Sequence, residues 1–426
     1  MEMLKSSPYC KGTLSDYVDI NPKTNCNGLS NTSVVSFVPM PNVQEKTNIV
    51  TYDLVPYEQV KKGFTVFQKN DLIWAKITPC MQNGKSCIVD DMPTEIGFGS
   101  TEFHVIRNRD KRVSMPFLWA VLSNDNVLKA AQAVFNGSAG QQRVSSSFLE
   151  RFPAVIPEKN IQEKLVLQLE EKLCGLHKKK NQANELLSNQ SSILLQHLNI
   201  NIGKHTPSLC SAVSLMCIIQ DKTLNADYYH PERLNAINSM KNNSLFRLSR
   251  LIDVVDFCRF IVNSSDVNEQ YLGLSGIESQ TGELTGIKED VSGQAFTYQS
   301  NDVLYGRLRP YLNKVRFAEK SGICSTEFHV MRVKNKKDLL PEYLAEVMRS
   351  DLILSQTKHM MTGNTHPRIS NDDVKNLYIP IPDILLQQQI IKEIRNRRTK
   401  ARNLKIEAEK EWQKAKKQFE KELLGE

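Results

Sequence analysis

The chain has 426 residues, with 55 Lys and Arg against 47 Asp and Glu and a net charge of +8; it can bury two separate cores, and the cationic excess leans toward a polyanionic partner without requiring one. Nine cysteines are scattered with no Cys-x-x-Cys pair, which sets aside a zinc ribbon or disulfide framework and fits a reducing cytoplasm. No apolar stretch approaches the roughly 20 residues of a membrane span, and Met1-Glu2-Met3-Leu4-Lys5 is not followed by a signal-peptide core, so a soluble, cytoplasmic protein is expected.

Residues 1–157 read as short strands at Val34–Val38, Phe64–Phe67, Leu72–Ile77, Cys87–Val89 and Phe103–Ile106, followed by a helix at Pro116–Val134 with Pro116 in its first turn. Residues 158–200 change character. Asn160 and Glu163 suggest a capping box, and Leu165, Leu169, Leu173, Leu176, Ala183, Leu187, Leu194 and Leu198 recur at spacings of three and four, the seam of a coiled coil. Residues 201–382 combine a linker with a second globular part, with strands near Val303–Arg307 and Phe328–Val333 and a helix near Pro341–Ser355. Residues 383–426 form a second long helix along Ile390, Ile394, Ala401, Leu404, Ala408, Trp412, Ala415, Phe419 and Leu423. The expected class is α+β. Each helix of about 40 residues would span roughly 60 Å, and the two would pack on each other and hold the globular parts apart.

The order repeats because the sequence repeats. Ser-Thr-Glu-Phe-His-Val occurs at Ser100–Val105 and at Ser325–Val330, an offset of 225 residues. The same offset matches Arg143-Val144-Ser145 to Arg368-Ile369-Ser370, Ile156-Pro157 to Ile381-Pro382, and Gln162, Leu165 and Leu169 to Gln387, Ile390 and Ile394. Upstream the offset is 231, where Phe67-Gln68-Lys69-Asn70-Asp71 meets Tyr298-Gln299-Ser300-Asn301-Asp302. This period far exceeds that of solenoid units. Residues 222–246, including Asp227-Tyr228-Tyr229-His230-Pro231, have no evident counterpart in the first half.

Catalytic signatures are missing. Gly97-Phe98-Gly99 begins a Gly-x-Gly-x-x-Gly but runs into Ser100-Thr101-Glu102, and there is no phosphate-binding loop. No Pro-Pro pair exists, so the Asn/Asp-Pro-Pro-aromatic motif of amino-methylating DNA methyltransferases is absent. Pro382-Asp383 sits at a helix start, a poor place for a nuclease metal site. Glu102 with His104, and Glu327 with His329, would share a strand face, but between Phe and Val a hydrogen-bonded structural histidine is the expected reading. The pattern is that of a protein that binds and does not catalyse.

Candidate DNA contacts lie where polar and basic residues interrupt strands in both copies. Around Trp74–Pro79 they are Lys76, Thr78, Asn83 and Lys85, matched by Arg307, Arg309 and Lys314. The loop Gly137–Arg143 offers Gln141, Gln142 and Arg143, matched by Asn364, His366 and Arg368. Lys and Arg suit phosphates, while Arg to guanine and Gln or Asn to adenine are common groove pairings. Such residues are also normal solvated surface, and Arg143 and Arg368 are equally placed to pin their loops.

These blocks, in this order and twice over, resemble the specificity (S) subunit of Type I restriction–modification systems across nearly the whole chain. The features that carry the resemblance are Asp71–Pro79 and Asp302–Pro310, the Ser-Thr-Glu-Phe-His-Val pair and the Arg-Val/Ile-Ser block. To these are added the Ile379-Pro380-Ile381-Pro382 end and the Gln387-Gln388-Gln389-Ile390 helix start. The resemblance implies a non-catalytic reader of double-stranded DNA. Two target recognition domains would each read half of a split asymmetric site, and two long antiparallel helices would set the gap between them. It also implies two modification subunits carrying the S-adenosylmethionine chemistry and restriction subunits supplying ATP- and Mg-dependent translocation and cleavage, with no cofactor or metal in this chain. The readings left open are a related anti-phage methylation system, a self-sufficient restriction or modification enzyme, and a protein–protein scaffold.

Overall fold

A computed structural model describes residues 2–137, 141–188, 190–203, 212–221, 223–241, 243, 245–264, 269–287, 289, 293–363 and 365–425. The chain forms two compact units, Met1–Lys179 with Ile406–Glu426, and Lys180–Lys405. Each unit therefore joins a globular part to segments of both long helices.

The first unit carries ten strands: β1 (Cys10–Thr13), β2 (Val18–Ile20), β3 (Val34–Val38), β4 (Asp53–Pro56), β5 (Thr65–Gln68), β6 (Leu72–Ala75), β7 (Ser86–Ile88), β8 (Ile96–Gly99), β9 (Phe103–Asn108) and β10 (Pro153–Val155). One sheet has the order β2-β9-β6-β7, a second β4-β3-β8-β5, and β1 pairs with β10. Strand β6 shows how the pattern works. Its residues are all buried, because the strand is covered on both faces. Leu72 and Trp74 face a core shared with the helix Met115–Leu122 and the long helices, whereas Ile73 and Ala75 face a second core with Phe103, Val105 and Phe67.

The second unit carries β11 (Phe246–Arg250), β12 (Val255–Cys258), β13 (Ile261–Asn263), β14 (Tyr271–Leu272), β15 (Gln294–Tyr298), β16 (Val303–Gly306), β17 (Val315–Phe317), β18 (Gly322–Ser325), β19 (Phe328–Val333) and β20 (Tyr378–Pro382). The sheet β12-β19-β16-β17 repeats β2-β9-β6-β7, and the pair β11-β20 repeats β1-β10. The remaining sheets agree only in part. In both, a parallel pair (β3·β8, β14·β18) adjoins an antiparallel one (β5·β8, β15·β18). The fourth strand is then added at opposite edges: β4 pairs with β3 in the first unit, whereas β13 pairs with β15 in the second.

Phe-His-Val of the repeated hexapeptide opens β9 and β19, in line with the strands expected there, and Thr-Glu turns the chain into each, with Ser325 still ending β18. Three other sequence expectations change in detail. The helix expected at Pro116–Val134 is two, Met115–Leu122 and Asp125–Gln132, because the Asn124 side chain accepts the Asn126 N–H and caps a new start. The stretch near Pro341–Ser355 breaks likewise into Pro341–Arg349 and Asp351–Thr357. The capping box at Asn160 does not form. The long helix begins at Lys159, and Asn160 Oδ1 accepts from the next residue's N–H at 2.8 Å.

What anchors the start of each long helix is a fully buried glutamine. Gln162 Nε2 donates to the carbonyls of Pro157 and Arg112, both at 2.8 Å, while its Oε1 accepts from Ser114 N. Gln387 repeats this with Pro382, Asp338 and Leu340. In the first unit Leu165, Leu169, Leu173 and Leu176 share a core with Ala408, Trp412, Phe419 and Leu423. Lys164 meets Glu422, and Lys179 meets Glu407 and Glu411, so these helical segments run antiparallel. In the second unit His197 meets Glu393 and Gln190 meets Arg398, again antiparallel.

Candidate nucleic-acid interface

Both copies bring the two predicted loop regions together. In the first unit Thr78 N–H donates to Gln142 O at 3.0 Å, Val144 N–H donates to Lys76 O at 2.9 Å, and Ile77 bridges Arg143. In the second, Arg309 N–H donates to Pro367 O at 2.7 Å, Ile369 N–H donates to Arg307 O at 3.1 Å, and Leu308 bridges Arg368. Two stretches about sixty residues apart thus form one loop cluster at the end of β6 and of β16.

Residues that match between the copies tie this cluster together. Arg143 Nε and Nη2 donate to the two oxygens of Glu102 at 2.8 and 2.7 Å. Arg368 repeats the fork on Glu327 at 3.0 and 2.9 Å. The Arg143 guanidinium holds the Glu102 carboxyl below its usual range, against the opposing effect of burial. The glutamate of the repeated hexapeptide and the arginine of the Arg-Val/Ile-Ser block are therefore partners, and Arg143 and Arg368 pin their loops.

The hexapeptide histidines are both buried. His104 is buried, with Nε2 at 2.9 Å from Val144 O and Nδ1 at 3.1 Å from Asn21 Nδ2. Burial lowers its pKa, and in the second copy burial, reinforced by Arg307 and Arg259, takes His329 down from 6.5 to about 4. The folded state thus resists a proton that the unfolded chain accepts. His329 contributes stability above pH 6.5 that is lost as pH falls toward about 4. Equilibrium unfolding across that interval should show a falling stability whose slope is reduced in a His329→Phe variant; an unchanged slope would assign the effect elsewhere.

The other predicted residues divide into anchored and outward-facing. Asn83 Nδ2 donates to Glu45 at 2.7 Å, and Lys85 Nζ donates to Met40 O at 3.1 Å. Lys314 Nζ donates to Leu274 O at 2.6 Å, and burial lowers its pKa. Lys76, Thr78 and Gln142 are half-buried, as is Arg307, whose Nε lies 3.9 Å from Glu327. Gln141, Arg309 and His366 are exposed, and Arg309 stands in the left-handed region at φ 48°. Asn364 lies outside the described residues, as do Ser138, Ala139 and Gly140 of the matching loop.

Two features were not read from the sequence. Tyr311, 42% exposed, lies two residues beyond Arg309 and puts an aromatic ring on the second copy's loop cluster. Arg107 and Arg332 fork onto the buried Asp71 and Asp302. They stand at the 225-residue offset, so the repeat itself carried that signal.

A family model for the Type I restriction modification DNA specificity domain matches residues 11–186 and 254–408. The specificity subunits of the Type I restriction enzymes EcoAI and EcoEI of Escherichia coli are 34% identical over 157 residues and 33% identical over 155 residues, covering 37% and 36% of this chain. The match spans about a quarter of those relatives' length (26% in each). A solved chain from work on complex assembly and conformational transition of the type I R-M system shares the fold at a TM-score of 0.52 and 13% identity, covering 99% of this chain and 95% of that one.

Proposed function

Because the chain belongs to the Type I restriction modification DNA specificity family, we propose that it reads a bipartite, asymmetric site in double-stranded DNA, each unit taking one half through its loop cluster. One observation carries this reading. In both units the matched ion pairs Glu102–Arg143 and Glu327–Arg368 tie the cluster together, while the exposed residues differ, Gln141 against Arg309 and His366. A shared frame that presents different side chains suits two different half-sites. The helical segments would set the gap between the halves and dock two modification subunits, with restriction subunits joining the complex. The S-adenosylmethionine, ATP and Mg chemistry would belong to those partners, leaving this chain a non-catalytic reader.

Salt-titrated DNA binding by the assembled complex tests the reading. Affinity should fall linearly on a logarithmic salt scale, with a slope of about 0.9 per phosphate neutralised; a complex whose DNA binding ignores salt would sink it. Replacing Arg307 and Arg309 together by alanine should then cost about 1–3 kcal/mol per lost base contact at one half-site only. Equal loss at both half-sites would make these arginines assembly residues.

A further inference from the structure

The second unit has a helix that the first has only in part. Pro231–Lys241 packs on the helix Asp351–Thr357 and buries Arg233, Ala236, Ile237 and Met240, the last in a core with Leu198 and Leu352. Beyond it Asn243 Nδ2 donates to Leu198 O at 2.7 Å, just past the helix Gln190–His197, and Asn243 Oδ1 accepts from Leu245 N–H at 2.9 Å. Ser7 repeats both bonds in the first unit. Its Oγ donates to Leu423 O at 2.6 Å and accepts from Tyr9 N–H at 3.2 Å. Leu423 is the match of Leu198 at the 225-residue offset, so Ser7 matches Asn243, and Leu4 matches Met240. The short helix Glu2–Lys5 is thus equivalent to the last turn of Pro231–Lys241. The turns at 231–237 have no counterpart among the described residues of the first unit. In their place is an apolar groove of about 200 Å³, lined by Val127 and Ala130 of the helix that matches Asp351–Thr357, by Leu423 and Leu424, and by Val121 and Leu4.

We infer that this groove receives the helix Leu215–Asp221 of a second copy of the chain. That helix exposes Leu215, Met216 and Ile219 at 69%, 64% and 61%, at positions i, i+1 and i+4. Ala236, Ile237 and Met240 have the same spacing in the occupied seat of the second unit. Among the described residues no other helix exposes three large apolar side chains, and an apolar patch of this kind marks an interaction surface. Its seven residues rise about 10 Å, as the turns at 231–237 do. Size fits as well. At the 225-residue offset Val121, Val127 and Ala130 stand where the second unit has Glu346, Leu352 and Ser355, so the open seat has smaller walls and takes Leu and Met where the filled one takes Ala and Ile. Each copy offers one groove and one helix, and two copies that exchange them satisfy both contacts in a closed two-fold dimer.

Sedimentation velocity on the full chain tests this. The parent should pass from monomer to dimer as its concentration rises. Ile219→Glu on the helix and Ala130→Glu in the groove should each lose the dimer; Ile219 is exposed, so its replacement leaves the fold intact. An equimolar mixture of the two variants should regain a dimer, because one chain keeps its groove and the other its helix. In a mixture of isotopically light and heavy chains carrying Asn126→Cys at the groove, the exposed Cys217 of the helix should form disulfides between light and heavy copies. A parent that stays monomeric overturns the inference and leaves the groove to a different protein. A dimer that survives in either variant, a mixture that fails to recombine, or disulfides confined to single chains overturns it equally.

Discussion

Replacing Glu346 with Gln should destabilise the second unit by about 3–5 kcal/mol, the usual cost of removing one partner from a buried ion cluster. The Glu346 side chain is 4% exposed and accepts from Arg349 Nη2 at 2.5 Å and from Arg398 Nη2 at 2.9 Å; those arginine side chains are 5% and 20% exposed. Burial pushes the Glu346 carboxyl up, but Arg349 and Arg398 outweigh it and hold it below 4.5. A lowered carboxyl pKa means that its contribution is present above pH 4.5 and is lost as pH falls through the folded value. Without the carboxylate, two largely buried guanidinium groups are left facing each other. Arg349 keeps its bond to Val315 O at 2.8 Å, which does not cancel its charge. At the matched positions 121 and 173 the first copy places the buried Val121 and Leu173, so the architecture does not require charge there. The triple change Glu346→Val, Arg349→Met and Arg398→Leu should therefore recover most of the loss. Urea unfolding, with hydrogen exchange on β16 and β17 to localise the effect, measures both variants. A triple variant as unstable as the single one would show that packing, not charge balance, is at stake.

The parts of this protein that were legible in the sequence are those written twice. The 225-residue offset exposed the two copies, and the leucine spacing exposed the long helices, because both are local or periodic signals. The candidate loops were also legible, since Pro, Gly and cations interrupt apolar runs there. Their contact with each other was not, because it depends on backbone bonds such as Arg309 N–H to Pro367 O between distant stretches. The opposite edges taken by β4 and β13 were hidden for the same reason: strand pairing is non-local, and short strands of similar composition fit either edge. Helix breaks at Asn124 and Ser350 were missed because apolar spacing continues across them, while capping by one side chain or a single change of ψ decides the stop. Among the site residues, chemistry named the cations, and only placement divided Arg143 and Arg368, held by Glu102 and Glu327, from exposed Arg309.

A comparable loss of about 3–5 kcal/mol is expected from Arg332→Met, and again from Arg107→Met in the other copy. Asn70 and Asn301, both at φ 71°, turn the chain so that the following aspartate points inward. Asp71 Oδ2 then accepts from Gln68 N–H at 2.7 Å, and Asp302 Oδ2 accepts from Gln299 N–H at 2.7 Å. Each aspartate side chain is nearly sealed, at 2% and 1% exposed, and each receives a two-bond fork, from Arg107 at 2.9 and 2.7 Å or from Arg332 at 2.8 and 2.8 Å. The arginines reach from β9 and β19, so the fork ties the turn before the central strand to its neighbour in the same sheet. Removing the arginine strands a carboxylate that one backbone N–H cannot neutralise, whereas Asp302→Asn keeps an acceptor for that N–H and should cost less, about 1–3 kcal/mol. The two pairs share no partner, so Arg107→Met and Arg332→Met together should add within about 0.5 kcal/mol. Hydrogen exchange should report the Arg332→Met loss in β16 and β19 while β6 and β9 keep their protection. If Asp302→Asn proved the more damaging change, the arginine left without its carboxylate, and not the stranded carboxylate, would be the costlier loss.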